Sequence, residues 1–379
     1  MAAASETIQA IARLTPLADV LAMVDLDVKP ITPRAIDLSH AAGRTLAADA
    51  MAPSRPSAPL AFLDGWAIAA DATLGAGNYM PALLPDTPQR VEVGQPMPPD
   101  TDSVAPFDAV KVAGGRAEAL TTINLGDGVL PAGGDCDSAI PLRRAGERLS
   151  LTDIAAFAAA GIARITVREP RIRVLPLRGS SIINAAARLV AADARNRGGA
   201  VRLDEAGRDL GTVLSAESAD AIIVIGGTGQ GRNDNSVQML AREGRVAVHG
   251  VALAPGESAA FGFCGLCPVL LLPGRLDAAL AVWLTLGRRM VERLAGTNQN
   301  KDGEPGEMLT LSRKVTSTIG LAEIVPVRRS GGDAEPMGGK YLPQYLSLSS
   351  LARSGGWIFV AADSEGYAAG SAVTLRPWP

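Results

Sequence analysis

The chain carries 379 residues and a formal net charge of −3, with 47% apolar residues but only 4% aromatic ones. Acids and bases interleave rather than cluster, which excludes the basic footprint of a nucleic-acid binder, and no uncharged apolar stretch is long enough to span a bilayer. The length exceeds what one hydrophobic core supports, so roughly two to four domains packed by Ala, Val and Leu are expected.

"MAAASETIQAIARL" lacks a basic segment followed by an apolar one, so the chain reads as cytoplasmic with no membrane contact. From Leu17 to Ala50 the pattern is helical, in "PLADVLAMV" and then in "AIDLSHAAGRTLAADA", the second broken by Gly43. Between Met51 and Asp137 short Val/Ile runs alternate with Pro, Gly and Asp, a β-rich texture. "SLTDIAAFAAAGIARITV" returns to a helix, with Ser150 or Thr152 placed to cap it and Gly161 placed to stop it.

From Arg171 to Gly296 strands and helices alternate. "RIRVLPL" reads as a strand, "SIINAAARLVAADARNRGG" as a helix and "LGTVLSAESA" as another; "DAIIVIGG", "VAVHGVAL" and "CPVLLLPG" read as strands. "RLDAALAVWLTLGRRMVERLAG" is a closing helix stopped by Gly296. Fully apolar strands between helices imply a parallel sheet covered on both faces, a doubly wound α/β domain. "TNQNKDGEPGE", residues 297–307, is a linker, and short alternating runs to Pro379 suit a small β-domain.

Three cysteines, Cys136, Cys264 and Cys267, cannot all pair, as in a reducing compartment. Cys264 and Cys267 have C-x-x-C spacing, but no second pair exists and Pro268 with a strand follows at once. A turn between two strands is the expectation, rather than a redox or zinc site.

The informative stretch is "ADAIIVIGGTGQGRNDNSV". An apolar strand breaks into Gly226, Gly227, Thr228, Gly229 and Gly231, then meets Arg232 and Asp234. Glycines beyond the carboxyl end of such a strand put backbone N–H groups where an anion can be cradled. No Gly-Lys-Ser/Thr follows, and position 232 breaks G-x-G-x-x-G, so neither ATP nor NAD is favoured. Pro273, Gly274 and Arg275 also end an apolar strand and open a helix, so a second set of free N–H groups belongs at the same edge. Together they suit a phosphate or carboxylate.

These residues carry a resemblance. "AAGRTLAADAMAP" with "LDGWAIAADA", "VGQPMPPDTDSVAPFDAV", "AGGDCDSAIPLRRAGERLSLTDIAAFAAAGIARITVREPRIRV", "GGTGQGRNDNSV" and "LPGRLDAAL" fall in the order of the molybdopterin molybdenumtransferase family, the MoeA and gephyrin E-domain type. The likeness runs from about Ile31 to the C-terminus. It implies an α/β multidomain fold: an elongated linker domain from 1–50 with 138–170, a β-rich domain at 51–137, a MogA-like molybdopterin-binding α/β domain at 171–297 and a C-terminal β-domain at 305–379. It further implies a homodimer, its cleft lying between the α/β domain of one subunit and the β-rich domain of the other.

The implied reaction inserts molybdate into adenylylated molybdopterin and releases AMP, with Mg²⁺ as the cation. The resemblance puts the pterin's phosphate end on residues 226–231, Asp234 against the pterin N–H groups, and Asp64 and Asp135 as catalytic carboxylates that ligate Mg²⁺. Pro273, Gly274 and Arg275 complete the substrate site. A molybdopterin adenylyltransferase and a recipient molybdoenzyme are the implied partners.

The departures from the family cluster on chemistry. Its Thr-Gly-Asp-Glu is here Leu177-Arg178-Gly179-Ser180-Ser181; the Thr that begins its Thr-Gly-x-Pro segment is Val93; its Lys-Pro-Gly-Lys-Pro is Ala254-Pro255-Gly256-Glu257-Ser258; and Asn-Pro after Leu-Pro-Gly is Arg275-Leu276. Glu257 thus stands where a lysine would meet the dianionic molybdate, with Arg275 and Arg178 as possible replacements for the lost charge. Three readings stand: a transferase with a variant metal site, a non-catalytic molybdopterin carrier or chaperone, and a scaffold that binds no pterin. The glycine loop with Asp234 speaks against the third.

Overall fold

The computed structural model describes residues 9–215, 219–297, 306–337 and 346–379. Its central element is a six-stranded sheet in the order Ala200–Leu203, Arg171–Pro176, Ala221–Ile225, Cys267–Leu272, Ala260–Cys264, Arg245–His249. The first four strands are parallel. All five residues of Ala221–Ile225 are buried, as both faces of a central strand require. Ile223 and Ile225 pack with Ala186, Val190 and Leu280 on one face. Ile222 and Val224 pack with Leu210, Val213 and Leu240 on the other.

The remaining two strands correct the wholly parallel expectation. Ala260–Cys264 and Cys267–Leu272 form an antiparallel hairpin in which Cys264 faces Cys267. Only Gly265 and Leu266 connect them, and a parallel crossover needs a dozen residues or more. The C-x-x-C pair is therefore a turn. Burial pushes the Cys264 thiol up and that of Cys267 to about 12, so neither is a ready thiolate.

"VAVHGVAL" is two strands rather than one. Gly250, at φ +100°, ends Arg245–His249 at the edge of the first sheet and starts Val251–Ala254 in another. A Cβ at this glycine would stand 2.5 Å from Ile11 and 2.7 Å from the Arg13 carbonyl, so the break and the close passage of the N-terminal chain require the same residue. The second sheet runs Thr15–Pro16, Val251–Ala254, Ala322–Ser330, Asp333–Pro336, Glu307–Leu311, Ala372–Leu375, with Gly356–Val360 on the other side of Ala322–Ser330. Thr15–Pro16 and Ala322–Ser330, more than 300 residues apart, thus pair with the same strand, Val251–Ala254.

"PLADVLAMV" is helical as expected, over Leu17–Asp27. "AIDLSHAAGRTLAADA" is not. It forms the strand Arg34–Asp37, a 3₁₀ turn at Leu38–His40 and the strand Thr45–Leu46, both strands pairing with Arg164–Arg168. Ile36 faces Ile165 and Leu46 faces Val167 over a small core with Leu149 and Phe157, so cross-strand burial overrides the local helical pattern. The helix Leu151–Ala159 begins at Ser150 in a reciprocal capping box with Asp153 and is followed by Gly161 at φ +86°.

Residues 51–137 hold three small antiparallel sheets. The closing helix runs Leu276–Val282, then a π-helical turn at Trp283–Gly287, then Arg288–Ala295, and ends on Gly296 at φ +61°. It is pinned by buried Asp193, which accepts from Trp283 Nε1 at 2.7 Å and Arg288 Nε at 2.8 Å. Most of the linker, residues 298–305, lies outside the described residues. Among those described, no helix is long and apolar enough to cross a membrane.

Candidate ligand-binding site

Three parallel strands, Arg171–Pro176, Ala221–Ile225 and Cys267–Leu272, end at the same edge, and the helices Ser181–Asn196, Ser236–Glu243 and Leu276–Val282 begin there. Strand ends and positive helix ends thus converge, the arrangement that favours an anion. Between them is a cavity of about 280 Å³. Its lining includes Gly226, Gly227, Thr228, Gly229 and Asp234 from one loop and Pro273, Gly274 and Arg275 from the next.

The glycines are there for conformation and for space. Gly226 and Gly227 have φ of +100° and +76°, and a Cβ on Gly227 would come 2.4 Å from Leu177. Gly226 donates to the Leu272 carbonyl at 2.8 Å, locking the two loops together. Gly231 does not line the cavity. Its N–H donates to Asp234 Oδ2 at 3.1 Å, and its carbonyl accepts from Asp234 N at 2.8 Å, closing a tight turn that presents the carboxylate.

Four partners of this loop have no signal in the local sequence. Gln9 Nε2 donates to the carbonyls of both Gly227 and Gly229 at 2.7 Å, from 218 and 220 residues away. Ser236 adds its hydroxyl to the Gly227 carbonyl at 2.7 Å. His249 Nε2 lies 3.1 Å from the Thr228 carbonyl, and Ser258 Oγ lies 3.0 Å from Thr228 Oγ1. Because a trans peptide sets N–H opposite C=O, tying those carbonyls to the protein turns the Thr228 and Gln230 N–H groups the other way.

The cations at the mouth are internally engaged. Arg178 donates to the Asn233 carbonyl and stands 3.7 Å from Asp234 Oδ1. Arg275 Nε donates to Asp277 Oδ1 at 3.1 Å, while Asp277 Oδ2 accepts from Leu346 N at 3.1 Å. Glu257, expected at the oxyanion position, does not line the cavity; its neighbour Ser258 does. The Glu257 carboxylate accepts from Gly256 N at 3.0 Å instead. Burial raises the Glu323 carboxyl above its ordinary value, partly offset by Ser317 and reinforced by the charge of Glu257.

Asp64 and Asp135 lie elsewhere. Both are exposed, on either side of the antiparallel pair Leu60–Ala61 with Val129–Leu130. Asp64 follows the end where Phe62 N donates to the Gly128 carbonyl, and its Oδ1 accepts from Val93 N at 2.8 Å. Asp135 lies at the opposite end, its N–H donating to the Arg55 carbonyl. Neither lines the cavity. Among the described residues no group of three or more His, Cys, Asp or Glu is arranged to hold a metal.

Known proteins share both halves of this chain. Residues 6–161 match the MoeA N-terminal region (domain I and II), and residues 180–293 match a probable molybdopterin binding domain. Together these account for most of the chain. The chain belongs to the MoeA-type family. Membership places it among proteins of molybdenum cofactor biosynthesis. A putative molybdopterin biosynthesis protein of Methanocaldococcus jannaschii is 24% identical across 90% of this chain and 91% of its own. Molybdopterin molybdenumtransferase 2 of Mycobacterium tuberculosis is 27% identical across 66% of this chain and 72% of its own.

The MoeA-type fold extends across nearly the whole molecule. The crystal structure of a molybdopterin biosynthesis MoeA protein from Pyrococcus horikoshii superposes with a TM-score of 0.78 at 22% identity, covering 97% of this chain and 100% of that one. A second from that source gives 0.76. Within this MoeA-type fold the glycine loop is a closed, supported structure, and the segment 254–258, which holds Ala254, Glu257 and Ser258 and no lysine, reaches it through Ser258.

Proposed function

We propose that this MoeA-type chain binds adenylylated molybdopterin in the cavity between residues 226–234 and 273–275 and inserts molybdate with release of AMP. The observation that carries the reading is the convergence of three helix starts and a carbonyl-anchored glycine loop on one cavity that also presents the Asp234 carboxylate. Outward backbone N–H groups suit the phosphate end of the ligand, and Asp234 suits the amino and ring N–H groups of a pterin. Asp64 and Asp135 enter as separate substrate-facing carboxylates, contributed across a homodimer to the partner's cavity.

A second reading, a carrier that holds the pterin without inserting metal, is favoured by the state of the cations. Arg178 and Arg275 both face carboxylates of their own chain, and the loop at 254–258 holds no lysine. Incubation with adenylylated molybdopterin, molybdate and Mg²⁺, followed by chromatography of free AMP, separates the two. Molybdate-dependent AMP release supports the transferase, pterin retention without release supports the carrier, and absence of pterin binding refutes both.

A further inference from the structure

A cavity of about 680 Å³ lies away from the glycine loop, where the segment around Arg44 packs against the sheet. Its charged lining is Arg44, Arg171, Arg173, Arg195, Arg202 and one carboxylate, Glu169. The two segments are in close contact, since a Cβ on Gly198 would stand 2.4 Å from the Gly43 carbonyl. Arg171–Pro176 and Ala200–Leu203 begin here and end toward the glycine loop, so the two cavities occupy opposite edges of the sheet. Ala200–Leu203 is also the edge strand, and backbone groups on its outer side remain unpaired in the sheet.

Counterions are too few for this many cations. Arg34 and Arg44 share Glu169. Arg173, Arg202 and Arg208 share Asp204, and Arg171 takes Asp220. Arg195 donates to the Val201 carbonyl at 3.1 Å and has no carboxylate among the described residues. Seven guanidinium groups are thus set against three carboxylates in a chain whose net charge is negative. Burial and the neighbouring Arg34 lower the pKa of Arg44, the effect of like charges crowded in a poorly solvated place.

We propose that this cavity is a second binding site, for a small molecule bearing a phosphate chain. Planar guanidinium forks bind phosphate oxygens in pairs, and walls of one charge sign focus the field that draws an anion in. The volume lies in the range of small-ligand pockets and exceeds what a lone phosphate needs. Ile172, Ala200 and Val201 give the cavity an apolar floor on which a ring or sugar attached to the phosphates can lie. The site does not use the glycine loop, and it stands or falls independently of pterin binding.

The test is calorimetric titration at low ionic strength with two probes, sodium pyrophosphate and ADP, on the parent protein and on its R195Q/R202Q variant, so that any binding at the glycine-loop cavity is common to both. One saturable site per chain that belongs to this cavity is expected, with affinity falling as salt is raised. Adding R195Q and R202Q should weaken it at least about tenfold, since each fork contributes charge-assisted bonds. These positions are safe for the fold: Arg195 is exposed, and loss of Arg202 leaves Asp204 paired with Arg173 and Arg208. Lysine at both positions should restore part of the affinity by returning the charge without the fork. Tight binding of both probes assigns recognition to the phosphate chain, and tight binding of ADP alone assigns it to chain and nucleoside together. Absence of saturable binding, or binding that R195Q and R202Q leave unchanged, overturns the proposal.

Discussion

Replacing Asp234 by Asn should weaken pterin binding while leaving the fold intact, and the local geometry separates the two effects. The turn that presents this side chain is held by the Asp234 N–H on the Gly231 carbonyl and by Gly231 N on Oδ2. Asparagine keeps the backbone bond and keeps an acceptor oxygen for Gly231. What is lost from the protein is the contact with Arg178, at 3.7 Å with that side chain 44% exposed, a surface pair contributing under about 1 kcal/mol. The ligand loses more, because a hydrogen bond to a charged group contributes about 1.5–3 kcal/mol against about 0.5–1.5 for a neutral one. The difference, about 1–2 kcal/mol, corresponds to roughly 5- to 30-fold in Kd. Titration with adenylylated molybdopterin, alongside thermal unfolding of the free protein, measures both. Unchanged affinity would reduce Asp234 to a turn residue, and a large loss of stability would place the effect in the loop rather than in the ligand contact.

Three further outcomes are expected. Asp193→Ala leaves the buried Arg288 guanidinium and the Trp283 indole N–H without their carboxylate, so denaturant unfolding should show a loss of about 3–5 kcal/mol; a loss under about 1 would mean the closing helix is not pinned there. Burial holds the Glu323 carboxyl above its ordinary value, so the native state binds its proton more tightly than the unfolded chain and loses stability as pH rises from about 4.5 through the raised value. Glu323→Gln should therefore flatten that part of the pH profile and stabilise the protein at pH 7, and a profile identical to wild type refutes the assignment. Sedimentation at micromolar concentration should give a dimer of the 39.0 kDa chain; a monomer that still binds pterin with full affinity removes any need for a second subunit at the cavity.

How far the sequence reaches depends on whether a residue's partners are its chain neighbours. The helix at 151–159 was legible because Ser150 and Asp153 satisfy each other within one turn, and Gly161 and Gly296 stop helices through their own backbone freedom. The strand 221–225 was legible because an uninterrupted apolar run has to be covered on both faces, and the glycines after it leave backbone free for a ligand. The strands at 34–37 and 45–46 were not, since their apolar spacing also fits a helix and only pairing with Arg164–Arg168 decides between the two. Nor does any local pattern show that Gly250 sends the chain from one sheet into another, or that Gln9 reaches the glycine loop from more than 200 residues away. The same holds for Glu257, whose charge sequence alone would aim at the anion; the fold turns its carboxylate onto Gly256 and puts Ser258 in the wall. Propensity, capping and turn chemistry act over a few residues and are written in the chain, whereas strand partners and side-chain direction are set by which distant surfaces bury each other, and that exists only once the whole molecule has closed.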